Sequence, residues 1–387
     1  MPDVLLLGGR APVTLDHARR FAHHGWRVHV ADSISCRLST SSRAVSGSVR
    51  LASPRHAPAE FVRGLREAIT RWDIALIVPT CEEVFFLSRY RHLLPASVRV
   101  LADDFELLRA LHSKWHFLQL AQGCGAGVPE AATVDSLPQA RDWAGGRAVV
   151  LKPEFSRFGV HVRLYPDGIP ADAPPLPPMG RWVVQQFIAG QEFSSYSVAD
   201  RGRLLAHSLY RPAYRLAASA SFYFEAARIE ASRTFVEALV RKTGFTGQIS
   251  FDWMLDAEGT LSVLECNPRA TSGCHLFALA DPLPDALAGI SSALLEPSTA
   301  RPRMLGPVML SAGLAAAVRD GRLAEWRRDF QAAEDVIVAP GDRWPLIGAA
   351  LDMGAYAALA LRRRSSLREA STQDIEWDGQ ALLDVAG

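Results

Sequence analysis

Lysine is scarce in this chain. Of 42 basic residues only Lys114, Lys152 and Lys242 are lysines. Arginine serves wherever a positive charge suffices, so a retained lysine points to a place that needs a compact ammonium rather than a planar fork. Net charge is nearly absent too: 41 acidic residues leave +1 at pH 7, and no basic field for nucleic acid follows. The run Arg362–Arg364 reads as a solvated helix end. The five cysteines, at 36, 81, 124, 266 and 274, include no C-x-x-C pair. Free thiols in a reducing compartment are the reading, and a cytoplasmic protein is expected. Long apolar runs are missing as well. Met1–Leu7 has no basic leader and is too short for a signal peptide. Leu346–Leu361 is too short to span a bilayer comfortably and carries Asp352, so no membrane partner is expected. The G-x-G-x-x-G fingerprint is lacking: Gly8-Gly9-Arg10-Ala11-Pro12-Val13 departs from it after the first turn, which argues against a dinucleotide oxidoreductase.

What is present is an α/β pattern over 387 residues, 49% of them hydrophobic, enough for two or three domains. Val4–Leu7 reads as a buried strand, Leu15–His24 as a helix closed by Gly25, and Arg27–Ala31 as a second strand. This is the βαβ opening of a parallel sheet. Strands at Ile74–Val78 and Val98–Leu101 extend it, so residues 1–102 form a small Rossmann-like lobe. A helix over Asp103–His112 follows, and Ser113 caps another that runs to Gln122. Ala148–Lys152 pairs with Val160–Tyr165, and Pro166–Pro178, with six prolines, is an exposed loop. Trp182–Phe187 is a strand and Phe193–Val198 with Leu204–Leu209 a hairpin. Ala231–Lys242 is a helix. Helical segments dominate after residue 298.

The hairpin Gly247–Leu255 and Thr260–Cys266 carries the most chemistry. With a four-residue turn, Asp256–Gly259, Leu255 opposes Thr260 and Asp252 opposes Val263. Glu265 and Asn267 then share the face of Asp252. Two carboxylates and an amide oxygen without a nearby thiolate or imidazole suit a hard cation such as Mg²⁺. Arg269, just past Pro268, is placed to meet phosphate oxygens. An ordinary polar hairpin face is the alternative, and a three-residue turn with a bulge would move Asp252 to the other face.

These residues resemble a family. Glu265-Cys266-Asn267-Pro268-Arg269, with Asp252 on the preceding strand, resembles the E-x-N-P-R metal motif of ATP-grasp enzymes. Ser113-Lys114 ahead of Gly127-Val128-Pro129, and Val150-Leu151-Lys152-Pro153, resemble the two nucleotide-binding lysine segments, in the same order. The likeness covers about residues 1–290. It implies a Rossmann-like lobe (1–102), a two-lobed ATP-grasp domain (103–298) and a mostly helical extension (299–387).

It further implies that Lys114 and Lys152 neutralise phosphates, and that the stretch Val184–Ile188, with Gln185, Gln186, Phe187 and Ile188, is the hinge facing adenine. Glu192 would accept ribose hydroxyls. Asp252, Glu265 and Asn267 would hold two Mg²⁺ ions, Mn²⁺ being an alternative. Arg269 would steady the γ-phosphate or the oxyanion formed later, and His275, in Thr271-Ser272-Gly273-Cys274-His275, would take a proton from an incoming amine or else be a structural loop residue. ATP and Mg²⁺ are thus the implied cofactors, a small-molecule carboxylate and amine the implied substrates, and a homodimer an allowed assembly. The implied reaction is ligation through an acyl phosphate, and a nucleotide-binding regulatory module is the alternative.

One departure stands out: the phosphate lid Glu154-Phe155-Ser156-Arg157-Phe158-Gly159 has a single glycine, so few backbone N–H groups can approach phosphate, and Arg157 is a candidate substitute. Arg211 and Arg215 suit a substrate carboxylate, or a solvated loop. Glu82 and Glu83 suit a cationic group, or the acidic first turn of a helix. His112 and His116 have i,i+4 spacing but no third zinc ligand. The acidic, aromatic stretch Asp374–Gly379 has no assigned role, beyond docking on the body or a dimer contact.

Overall fold

The computed structural model describes residues 1–156, 161–216 and 220–385. Its N-terminal lobe runs β1 (Asp3–Leu7), α1 (Pro12–His23), β2 (Arg27–Asp32), α2 (Arg37–Thr40), β3 (Gly47–Arg50), α3 (Pro58–Trp72), β4 (Ile74–Val78), α4 (Glu83–Tyr90) and β5 (Arg99–Val100). The strands pair in parallel in the order β3-β2-β1-β4-β5. All five residues of β1 are buried, with no alternation, because helices cover both faces of a parallel sheet. The strand order reverses between β1 and β4, so the ligand crevice of this kind of sheet lies outside the carboxyl ends of those two strands.

Two helices, α5 (Phe105–His112) and α6 (Lys114–Gln122), lead out of this lobe. The expected cap is there: Ser113 Oγ accepts from His116 N at 3.1 Å. Next come β6 (Ala131–Val134), α7 (Leu137–Ala144), β7 (Val149–Pro153), β8 (Arg163–Tyr165) and β9 (Trp182–Gln186), which form a four-stranded sheet in the order β6-β9-β7-β8. The chain continues through β10 (Gln191–Asp200), β11 (Arg203–Pro212), the short ribbon β12 (Arg215–Leu216) and β13 (Ala220–Ser221), β14 (Tyr223–Ala227), α8 (Glu230–Thr243), β15 (Gly247–Leu255) and β16 (Leu261–Asn267). Residues 299–387 are mostly helical, as expected, but they also lend β17 (Arg303–Met304) and β18 (Glu334–Asp335) to the larger sheet. Its order is β16-β15-β10-β11-β14-β17-β18.

The register of β15 on β16 corrects the sequence reading. The turn has five residues, closed by Asp256 N donating to Thr260 O at 3.1 Å, so Leu255 faces Leu261 instead of Thr260. Alone, that shift would turn Asp252 to the wrong face. A bulge at Leu264, between the pairs Trp253–Val263 and Asp252–Glu265, absorbs the extra residue. Asp252 therefore opposes Glu265 directly, not Val263.

The long helix Trp344–Arg363 is long and apolar enough to cross a membrane by length and composition. It is docked on α2: Asp352 accepts from Leu38 N at 2.8 Å and Tyr356 donates to Ser35 O at 2.6 Å. Trp344, Ile347, Leu351 and Leu361 on its outer side are exposed.

Two buried histidines tie the layers together. His17 Nε2 lies 2.9 Å from Gln248 Oε1, joining α1 to β15, and His207, with Nδ1 3.0 Å from Ser197 Oγ, reaches Ser232 Oγ of α8 through Nε2 at 3.3 Å, joining β11 to that helix. Burial depresses both to about 4. A base whose folded pKa lies below its unfolded value leaves the unfolded chain binding more protons. Stability is then full above about pH 6.5 and is lost as pH falls toward 4, by on the order of 2 kcal/mol per histidine at pH 5. Urea midpoints taken from pH 7.5 to 5 should fall, and His207→Gln should flatten the slope. The same slope in His207→Gln as in the wild type would show that this ring is not held neutral.

Candidate active site

The acidic cluster sits where β10, β15 and β16 run side by side. Ser194 pairs with Asp252 and Asp252 with Glu265, so the three side chains stand in a row on one face. Ser194 Oγ donates to Asp252 Oδ1 at 2.7 Å, and Asn267 Nδ2 donates to Asp252 Oδ2 at 3.1 Å. Arg269 Nη2 donates to Asn267 Oδ1 at 3.0 Å. Burial, then the charge of Glu265, pushes the Asp252 carboxyl up to about 7. Burial works against ionisation at Glu265 as well, but the ammonium groups of Lys114 and Lys152 outweigh it and hold that carboxyl below its usual range. Two carboxylates this close repel each other, and a divalent cation between them removes the repulsion. The donor set is all oxygen, which fits Mg²⁺.

The two lysines come from the other side. Lys152 rises from β7, and its Nζ stands 3.7 Å from Glu265 Oε2. Lys114 follows the cap Ser113 at the start of α6, and its Nζ donates to Ser156 O at 2.8 Å. Both are buried, at 4% and 5% exposure. Burial lowers Lys114 to about 8 against the pull of Glu265, and lowers Lys152 in the same way. The pocket thus holds two desolvated ammonium groups that share Glu265, and a polyanion supplies the missing counter-charge. Lys242 is exposed and donates to Gly123 O, away from this group.

The hinge stretch passes beside them. Gln185 lies on the face of Lys152, since Val150 pairs with Gln185 and Lys152 with Val183. Gln185 is buried, and its Oε1 has no hydrogen-bond partner among the described residues. Gln186 N and Phe187 N are used by the sheet, donating to Glu130 O and Ala148 O, while Phe187 and Ile188 are half-buried. Glu192 stands two residues before Ser194 on the same face and is ion-paired to Arg215 at 2.6 Å. The structure therefore gathers Lys114, Lys152, Gln185, Glu192, Asp252, Glu265, Asn267 and Arg269 around one cleft.

It does not bring His275 to them in the expected way. The 3-10 turn Ser272–Leu276 swings His275 back toward α1, where Nδ1 meets Asp16 Oδ2 at 3.2 Å and the ring rests on Phe224. Asp16, although buried, is held far below its usual range by Arg20 and His275. The imidazole is enclosed at 2% exposure as a joint between lobes, which takes away the freedom a proton acceptor for an incoming amine needs. Arg211 is paired with Glu225. Glu83 caps its loop, accepting from Thr80 N and Cys81 N at 2.9 and 3.0 Å. Glu82 instead faces Arg269, Oε1 to Nε at 3.7 Å. His112 is buried against Phe85 and Trp377 while His116 is exposed, so they do not form a zinc pair. Arg157, Phe158 and Gly159 of the lid lie outside the described residues.

Ser194 escaped sequence reading; its only signal is its register opposite Asp252. A cavity of about 630 Å³ lies elsewhere, near His207, Arg233 and Glu296, and none of the residues of the acidic cluster lines it.

No protein-family model matches the sequence, and no curated protein matches it. Solved structures do. N5-carboxyaminoimidazole synthetase from Staphylococcus aureus superposes with a TM-score of 0.62 at 14% identity, covering 82% of this chain and 85% of that one. The biotin carboxylase domain of Hydrogenobacter thermophilus 2-oxoglutarate carboxylase gives 0.59 at 11%, covering 76% and 70%. L-amino acid ligase from Bacillus licheniformis gives 0.54 at 14%, covering 74% of each chain. At such identities the likeness is one of fold.

Proposed function

We propose that this chain, which has the ATP-grasp fold, binds ATP with Mg²⁺ between its grasp lobes and ligates a small-molecule carboxylate to an amine. The observation that carries the reading is the approach of Lys152, from one lobe, to Glu265 of the acidic cluster on the other, with Lys114 buried beside them. The fold neighbours lend support: the S. aureus synthetase was solved with ADP, and the H. thermophilus domain, described as a dimer, with MgADP and bicarbonate.

In this reading Lys114 and Lys152 neutralise the phosphates in a site too dry for water to do so. The hinge Val184–Ile188 meets the base, and the unpartnered Gln185 Oε1 accepts from its exocyclic amine. Glu192 takes the ribose hydroxyls. Asp252, Glu265 and Asn267 hold two Mg²⁺ ions. Bound nucleotide and metal would supply the transferable phosphoryl group and the Lewis acid that make a carboxylate into an acyl phosphate. Arg269, steered by Asn267 and Glu82, steadies the anionic end of the nucleotide. No side-chain nucleophile is needed, because positioning and charge do the work. His275, locked to Asp16, holds the lobes together instead of moving a proton.

The test uses ATP, Mg²⁺ and a panel of amino and aryl acids, with hydroxylamine as the trap. One acid or a few should give a hydroxamate with stoichiometric phosphate. Nucleotide stabilisation in a thermal melt with no turnover for any acid would favour a regulatory module. Stabilisation by NAD(P)H and not by ATP–Mg²⁺ would sink both readings.

A further inference from the structure

The ligand crevice of the N-terminal sheet is filled by the chain itself. Past the helix Leu367–Thr372, the segment from Asp374 to Gly379 crosses the carboxyl ends of β1, β2 and β4. Arg10, just after β1, donates through Nη1 and Nη2 to the two oxygens of Asp374, both at 2.7 Å, and also pairs with Asp32 at the end of β2. Ser53 Oγ donates to Asp374 O at 2.6 Å. Ile375 is buried and closes a small space with Gly8, Asp32 and Glu83. Any dinucleotide phosphate site at Gly8-Gly9 is thereby taken.

Two contacts of this segment reach the cleft. The Trp377 indole, 2% exposed, lies 5.1 Å from Phe155, and a Cβ on Gly379 would come within 2.6 Å of the same ring. Phe155 precedes Ser156, whose carbonyl receives Lys114 Nζ. Meanwhile Trp377 N donates to Glu82 Oε2 at 3.3 Å, and the other oxygen of Glu82 faces Arg269. The indole thus packs on the loop that holds a lysine, and the backbone N–H of the same residue donates to the carboxylate that steers an arginine. The indole also packs on Phe85 and Phe105, which with the Arg10–Asp374 pair and the Glu82 contact would serve to tie down the N-terminal lobe, but an anchor alone has no need of the contact with Phe155.

We infer that residues 374–379 are a wall of the active site and that Trp377 is a positioning residue for nucleotide, acting through the Phe155–Ser156 loop on Lys114 and through Glu82 on Arg269. The inference rests on the ATP reading above. Removing the indole takes the support from Phe155 and loosens the backbone whose N–H holds Glu82, and small misplacements of charged groups cost about tenfold or more.

The experiment is calorimetric titration of the full chain with Mg²⁺ and a non-hydrolysable ATP analogue, each protein well below its melting temperature. Trp377→Ala should weaken binding about tenfold, and Trp377→Phe should recover most of it. Asp374→Asn, which loosens the segment without hollowing the core, should weaken it by a smaller factor and stands in if the alanine variant does not fold. Asp352→Asn is the control: it loosens the C-terminal region at α2, far along the chain from Trp377, and should bind as the wild type does. Wild-type affinity in Trp377→Ala overturns the inference. So does wild-type affinity in Asp374→Asn if the alanine variant is lost, or an equal loss in Asp352→Asn. Failure of the wild type to bind the analogue would instead sink the ATP reading.

Discussion

Glu265→Gln is expected to lower ATP-dependent phosphate release by about 100-fold or more while the protein stays folded. Glu265 is the carboxylate that both lysines hold ionised. Glutamine keeps its size and one oxygen but removes the charge that a divalent cation needs and the counter-charge of Lys152 at 3.7 Å. Breaking a fully buried pair costs about 3–5 kcal/mol. Glu265 is 30% exposed, so water takes up part of the loss, and a desolvated lysine can shed its proton. Circular dichroism should therefore show an intact fold with a modestly lower melting point. A folded variant with near-normal phosphate release would refute the metal role of the cluster.

Lys152→Met should have the second largest effect, and its sign differs with and without nucleotide. Affinity for ATP–Mg²⁺ should drop by about 30-fold or more, the loss of one close charge–phosphate contact in a dry site. Without nucleotide the melting temperature should hold or rise, because burial already disfavours the ammonium and methionine fills the same volume with no charge to desolvate. Lys152→Arg should not rescue binding, since a planar fork does not fit a position only 5% exposed. Calorimetry and paired melts with and without ATP–Mg²⁺ check all three. Wild-type affinity in the methionine variant would remove Lys152 from the site.

Much of this was legible because it was local. The strands β1 and β4 of the N-terminal lobe are nearly continuous apolar runs, and Ser113 is a cap that needs only its own helix, whereas β3, with its polar and half-exposed residues, gave no such signal. Glu265-Cys266-Asn267-Pro268-Arg269 places its donors by strand alternation alone. The register of Asp252 was another matter. Its true partner depends on a bulge at Leu264 that compensates an extra turn residue, and no period in the sequence announces it. The strands β17 and β18, two residues each, are too short to carry a pattern. His275 follows Glu265–Arg269 closely in sequence, yet the fold of one short turn sends it to Asp16 on α1. The stretch Asp374–Gly379 was conspicuous but mute, because what explains it is Arg10, 364 positions away.

That separation has a consequence for how the protein comes into being. Chains are made from the amino end, and the early lobes fold as they emerge. Arg10 and Asp32 leave the ribosome near the start, but the aspartate that answers them is added only after both grasp lobes have been synthesised. Until then the guanidinium waits with one of its two anionic partners, and the carboxyl ends of the central strands lie open. A chain stopped before Asp374 would keep Arg10 paired with Asp32 alone and leave the crevice beside β1 uncovered.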